Sequence, residues 1–325
     1  MNYIDFHCDT LCSAFFQKKN DLTKLDNTMV NLGKLKNANC TAQFFAIYML
    51  PEEERDAVNS GIPDDDTYIL SLISILDDTE KINPGAIAIT GSFAEFEQNR
   101  KNGKISAFLT LEDGRAVQGS IERLEKFHSM GVRLITLTWN FANCFAFPNS
   151  KDPVEMSRGL TAFGKDAVCR MNELGMFVDV SHLSDGGFWD VVNVCKKPFI
   201  ASHSNCRSLS PHQRNMTDDM IKALADAGGV VGLNFCPAFL NADITDEHST
   251  AKLIAKHAKY MANCGGLGVV AIGSDFDGIR GIIETDGPDK MDLVWDELKK
   301  QGFSYDEIDY IAYKNGERVL KEVLK

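Results

Sequence analysis

The sequence predicts one (β/α)8 TIM barrel, a single domain over residues 1–325 with a metal site at the C-terminal ends of its strands. Three observations carry this expectation. Eight apolar runs of strand length recur along the chain. Segments with helical spacing of apolar residues lie between them. Several runs end in a histidine or an acid, as they do when a barrel gathers its chemistry at those ends.

The first run covers residues 2–8, and 41–48, 105–111 and 133–138 follow. The remaining four are 176–180, 198–202, 230–235 and 269–273. Most are apolar almost without interruption. Parallel strands covered by helices need this, whereas half-exposed strands alternate. Residues 67–81 place Ile69, Leu70, Leu72, Ile73 and Ile75 on a helical stripe. Helices over 120–130 and 159–174 come next, the second closed by Gly175. Thr217-Asp218-Asp219 caps a helix over 217–227 that stops at Gly228-Gly229. Another covers 248–263 and stops at Gly265-Gly266. The tail opens on Ser304-Tyr305-Asp306-Glu307, a capping box. No low-complexity linker divides the chain. Residues 50–66 and 140–158, rich in acids, Asn and Pro, are expected as loops bordering a binding site. An open doubly wound sheet is the alternative fold, but no Gly-x-Gly-x-x-Gly turn follows the first run.

With 44% hydrophobic and 25% charged residues, the composition is that of a soluble globular protein. A net charge of -12 argues against nucleic acid and against an anionic membrane surface as partners. No window approaches the roughly 18 to 20 apolar residues that cross a bilayer. The opening Met1-Asn2-Tyr3-Ile4-Asp5 lacks the pattern of a secretory leader. The nine cysteines are odd in number and scattered. They read as reduced thiols in a cytoplasmic protein.

The strand ends deliver a consistent set of side chains. His7 and Asp9 close the first run, two residues apart and so on one side of a strand, with Cys8 pointing away. Glu112 closes the third run, His182 the fifth, His203 the sixth and Asp275 the eighth. Three of the seven histidines fall at such positions. His128, His212, His248 and His257 do not, and are expected to be structural or solvated. Three imidazoles with two or three carboxylates exceed what one catalytic zinc requires. The set suits two metals sharing a carboxylate, with one acid left for proton transfer.

Asp5-Phe6-His7-Cys8-Asp9, Leu111-Glu112-Asp113-Gly114, Val180-Ser181-His182, Ser202-His203-Ser204-Asn205, Arg214-Asn215 and Gly273-Ser274-Asp275-Phe276-Asp277-Gly278 occur in this order. The ordered set closely resembles the membrane (renal) dipeptidase family, peptidase family M19, over residues 3 to 320. The resemblance implies a dipeptidase with two Zn2+ per chain, other divalent ions remaining open. His7, Asp9 and Glu112 would hold one ion, and Glu112, His182 and His203 the other. Asp275 matches the family's acid/base. Arg214 matches the arginine that receives the C-terminal carboxylate of a small peptide substrate, with Arg207 close by in sequence. A homodimer follows by family analogy alone.

The chain departs from the family at one point. Mammalian members carry a histidine after strand four that helps to bind the substrate. Trp139 stands there, followed by Asn140. The expectation is that Asn140, or a water held by it, replaces that hydrogen bond while Trp139 walls the pocket. The alternatives are another metal-dependent hydrolase, such as a β-lactam or cyclic-amide hydrolase, and a non-catalytic metal-binding scaffold. Deaminases and phosphotriesterases on this barrel usually carry His-x-His on strand one and often a carboxylated lysine. His7-x-Asp9 and Glu112 argue against both.

Overall fold

Eight parallel strands close on themselves in the computed structural model, which describes residues 1–51, 61 and 64–325. Strand β1 is Tyr3–Cys8, β2 Cys40–Tyr48, β3 Ile87–Ile89, β4 Ile105–Glu112 and β5 Val132–Thr136. Strand β6 is Phe177–Asp179, β7 Ile200–Ser204, β8 Val230–Leu233, β9 His248–Ser249, β10 Val270–Ile272 and β11 Ile282–Ile283. The sheet runs β2-β1-β10-β8-β7-β6-β5-β4, and β2 pairs back onto β4 over Ala42 to Tyr48. The eight barrel strands are the eight predicted runs. Both β1 and β4 are buried along their whole length, including the polar Asp5, His7, Ser106, Thr110 and Glu112 that they carry.

Strand β3 lay outside the sequence reading. At three residues it is too short for a pattern, and it pairs only with Ile105 to Ala107 of β4. From Leu109 onward β5 takes over β4. The short β9 and β11 pair with each other outside the barrel.

Helices lie between the strands. Thr217 accepts from the Met220 N–H and starts Asp218–Asp226 as expected. Gly175, at φ +75°, ends Ala162–Leu174. Ser304 and Glu307 form the capping box read from the sequence. Helix Asp65–Ile82 agrees with the predicted stripe. Helices Phe93–Lys101, Asp185–Val194 and Met291–Lys300 were not anticipated. The expected loop over 50–66 falls mostly outside the described residues.

Phe6, Phe44, Phe108 and Phe177, from four strands, pack ring against ring with centroids 4.7 to 6.4 Å apart. Phe6, Phe108 and Phe177 each precede, along their strands, the polar residues His7, Glu112 and Asp179 that follow towards the C-terminal end. This aromatic cluster gives the site a rigid support.

Candidate metal centre and active site

Glu112 ends β4, and its two oxygens face different neighbours. Oε2 lies 3.4 Å from His7 Nε2, which lies 3.4 Å from Asp9 Oδ2. Oε1 lies 3.3 Å from His182 Nε2 and 3.6 Å from His203 Nε2. Asp275 stands on the His7 side, its Oδ1 3.9 Å from His7 Nε2. The fold thus brings together His7, Asp9, Glu112, His182, His203 and Asp275.

Strand pleating aims only some of these side chains. Asp9 lies just past β1, where the chain turns into helix Thr10–Phe16. His182 and Asp275 lie beyond their strands with φ of +66° and +64°. Left-handed backbone at a non-glycine residue costs on the order of 1 kcal/mol or more and persists where the surroundings enforce it. Here it accompanies a His182 side chain that reaches Glu112 and an Asp275 side chain that reaches His7.

A hydrogen-bond network fixes the imidazole tautomers. Ser202 Oγ donates to Asp179 Oδ2 at 2.6 Å, so it accepts from His203 Nδ1 at 2.7 Å. Asp179 also accepts from the Ser181 and Ser202 backbone N–H groups and the Thr136 hydroxyl. The carbonyl oxygen of Asn140, an acceptor, lies 3.1 Å from His182 Nδ1. Both rings therefore carry their proton on Nδ1 and present a bare Nε2. These two Nε2 atoms are 3.2 Å apart. Neither has a proton to share, so their lone pairs converge with Glu112 Oε1 on a position suited to a cation. Burial, then the Arg214 charge, pushes His182 down to about 4. Burial, then the His7 charge, pushes His203 down as well. Neutral imidazole is the form that ligates metal.

The other half of the set is crowded with acid. Burial, then the Glu112 charge, pushes Asp9 up to about 8. Burial raises Asp275 to about 6. Burial opposes the charge on Glu112 too, but His7 and His182 hold its carboxyl low. Both ring nitrogens of His7, and Asp9 Oδ1, are buried without a hydrogen bond. The ligand atoms of His7, Glu112 and His203 lie within 4.8 Å of one another, as do those of His7, Asp9 and Asp275. Crowded carboxylates beside orphaned imidazole nitrogens fit a divalent cation, and these residues could hold one.

Asp9, Glu112, His182 and Asp275 open onto a cavity of about 1180 Å³. Phe16, Tyr48, Leu50 and Trp139 make part of its lining apolar, Lys151, Arg214 and Arg280 make part of it basic, and His212 also lines it. Arg214 is buried. Its Nη1 donates to Ser204 Oγ at 2.6 Å and its Nη2 to the His203 carbonyl at 2.8 Å, while Nε has no partner. Among the described residues no acid pairs with it.

The model of the membrane dipeptidase family, peptidase family M19, matches residues 1–325. The chain belongs to this family. As an M19 member it is a peptide hydrolase of the metallo-dipeptidase type, which implies a divalent metal. It is 35% identical over 271 residues to an uncharacterized protein "in pqqA 5'region" of Klebsiella pneumoniae, covering 81% of this chain and 99% of that one. It is 31% identical over 301 residues to the dipeptidase aclJ of Aspergillus oryzae, covering 90% of this chain and 70% of that one. The fold matches a metallo peptidase of Rhodobacter sphaeroides, liganded with a phosphinate mimic of L-Ala-D-Ala. The TM-score is 0.89 at 24% identity, over 99% of both chains. No described helix of this M19 chain is long and apolar enough to cross a membrane.

Other expected residues of the M19 site fall as follows. Trp139 lines the cavity, its ring 5.1 Å from that of Tyr48 and 6.1 Å from that of His182. Asn140 also lines it, with its carbonyl oxygen engaged by His182. Arg207, adjacent in sequence, is separated from Arg214 by its partners: it forms a two-pronged pair with Asp185 at 2.7 and 2.8 Å. Residues Asn149 to Lys151 of the predicted 140–158 loop border the cavity. The sequence reading missed Asp179, Ser202 and Asn234, whose Nδ2 donates to Asp275 Oδ2 at 2.8 Å. An acid inside the apolar run 176–180 was the available signal. It also set His212 aside, although that residue lines the cavity.

Proposed function

We propose that the site holds two divalent cations, zinc by its mixed imidazole and carboxylate donors, and hydrolyses the amide bond of dipeptides. The observation that carries this reading is Glu112, each of whose oxygens faces a separate group of donors. His7, Asp9 and Glu112 would hold one ion, and Glu112, His182 and His203 the other. Bound there, the ions supply Lewis-acid polarisation of the scissile carbonyl and ionisation of water near neutral pH.

The chain's own groups do the rest. Asp275 takes a proton at Oδ1 and passes it to the leaving amine, while Asn234 holds its Oδ2 in place. Arg214 receives the substrate's C-terminal carboxylate. A buried guanidinium without an acid partner is costly, and a ligand carboxylate relieves that cost. Anchoring the carboxylate at a fixed distance from the scissile bond restricts the site to dipeptides. Substrates with a C-terminal D-residue belong to the same reading, the class mimicked by the ligand of the Rhodobacter sphaeroides protein. Trp139 walls the pocket. Asn140 orients His182 and offers its amide nitrogen to the substrate. One barrel domain over the whole chain, a homodimer and a cytoplasmic setting complete the proposal.

The test is hydrolysis of L-L and L-D dipeptides by metal-loaded wild type and Asp275→Asn, with metal content measured in both. Two ions in each, turnover by wild type and a loss of about 100-fold or more in the variant are expected. A fully metallated wild type that cleaves no dipeptide, or one ion giving full activity, refutes the reading.

A further inference from the structure

The segment from Ser210 to Asn215 brings His212, Gln213 and Arg214 to the cavity, and of these His212 carries an imidazole without an assigned task. His212 lines the cavity beside Arg214. Its Nδ1 accepts the backbone N–H of Arg214 at 3.1 Å. A neutral imidazole whose Nδ1 accepts carries its proton on Nε2. That Nε2 has no hydrogen-bond partner among the described residues.

The ring is held in place. It packs on Phe239 with centroids 4.8 Å apart, and the Arg214 guanidinium lies 5.7 Å from the same Phe239 ring. The segment itself is pinned by Arg207, which donates to the carbonyls of Gln213 and Asn215 at 3.0 and 2.7 Å. Asn215 N–H also closes back on the His212 carbonyl at 3.0 Å. Burial, then the charges of Arg214, Lys151 and Arg207, pushes the imidazole down to about 4, so the ring stays neutral in this basic corner. An aromatic ring thus carries two donors of different kinds, a charged fork and a neutral N–H.

We propose that His212 is a second carboxylate-binding residue, its Nε2–H donating to the substrate carboxylate that Arg214 receives. This rests on the dipeptidase reading given above. Arg214 supplies charge, while its Nη1 and Nη2 already serve Ser204 and the His203 carbonyl. His212 supplies direction, fixing which carboxylate oxygen turns to which side and thereby aligning the scissile bond.

Two substitutions separate this role from that of a loop support. His212→Asn keeps an acceptor near Nδ1 for the Arg214 N–H and loses the donor at Nε2. His212→Gln keeps a donor near Nε2 and loses the loop acceptor. Steady-state kinetics on a dipeptide, with Arg214→Met as reference and thermal unfolding as the check on folding, read the outcome. Loss of a hydrogen bond to a charged group predicts a rise in KM of about 10- to 100-fold in His212→Asn. His212→Gln is expected to stay within about threefold of wild type. Impairment of His212→Gln alone, of both variants, or of neither overturns the proposal. If Arg214→Met raises KM and His212→Asn does not, only the His212 assignment falls. If Arg214→Met leaves KM unchanged, the carboxylate reading itself falls.

Discussion

A methyl group at residue 278 is a local probe of how tightly the acids must be held. A Cβ added to Gly278 would lie inside contact distance of Asp9 Oδ2 and 2.7 Å from Asp275 Oδ1. The glycine is exposed and its φ is not in the left-handed region, so alanine meets no backbone strain there. Ordinary contact begins near 3.4 Å, so Asp275 Oδ1 must retreat by about 0.7 Å and Asp9 Oδ2 by more. Asp9 Oδ2 now stands 3.4 Å from His7 Nε2. Displacements of about 1 Å at a reacting centre cost on the order of 100-fold in rate. Gly278→Ala is therefore expected to lower kcat/KM by about 100-fold, corresponding to about 2.7 kcal/mol of transition-state stabilisation. Its Tm should stay within about 2 °C of wild type, because no core contact is lost. The assay is dipeptide hydrolysis by both proteins at saturating metal, with metal content and a thermal scan alongside. Activity within about threefold of wild type at equal metal content would show that Asp9 and Asp275 tolerate displacement, and the positional argument would fail.

Two further substitutions address the groups behind the site. Ser202→Ala removes the hydroxyl between Asp179 and His203 Nδ1. Metal affinity by competition with a chelator should fall about 10- to 100-fold, and an unchanged affinity would show that His203 needs no tautomer control. His257 is buried, accepts the Cys206 N–H at Nδ1 and lies 3.0 Å from the Leu240 carbonyl through Nε2. Burial pushes it down to about 4, against about 6.5 in an unfolded chain. The unfolded state therefore binds the extra proton between those values, and stability is full above about pH 6.5 and falls as pH drops towards 4. His257→Gln should be less stable at pH 7. The gap to wild type in urea unfolding should shrink by about 2 kcal/mol at pH 5, and a gap independent of pH would contradict the assignment.

The barrel and the histidines and acids gathered at its strand ends were legible because both leave periodic or rare marks. His7 and Asp9 were paired as a His-x-Asp step, although Asp9 already lies past β1 at the start of a helix, and Glu112, His182, His203 and Asp275 each interrupt an apolar run at its end. The supports were not legible in the same way. Asp179 reaches Ser202 only because β6 and β7 are neighbours, a fact of closure rather than of local sequence. Helix Phe93–Lys101 had its capping box written at Ser92 and Glu95, but it buries only Phe96 and Asn99 and so shows no apolar stripe. His212 sits in an irregular segment, where no period announces which way a ring faces. His182 and Asp275 were found by type, while the left-handed turns that aim them are invisible to strand patterns.

A closed barrel has no edge, yet it has a seam where the chain's beginning meets its end. Here β1 joins β10 through one register pair, Asp5 with Ile272, and the Asp5 carboxylate takes both the N–H and the hydroxyl of Ser274 at 2.9 and 2.6 Å. Glu112, His182 and His203 belong to the consecutive neighbours β4 to β7 and can assemble on an open sheet. His7 and Asp9 come from β1 and its end, which β2 separates from β4, and Asp275 lies just across the stitch between β1 and β10. The full set of histidines and acids thus straddles the seam, and an ion gripped from both sides of it would act as its clasp, with chelation loosening the molecule where its first and last barrel strands meet.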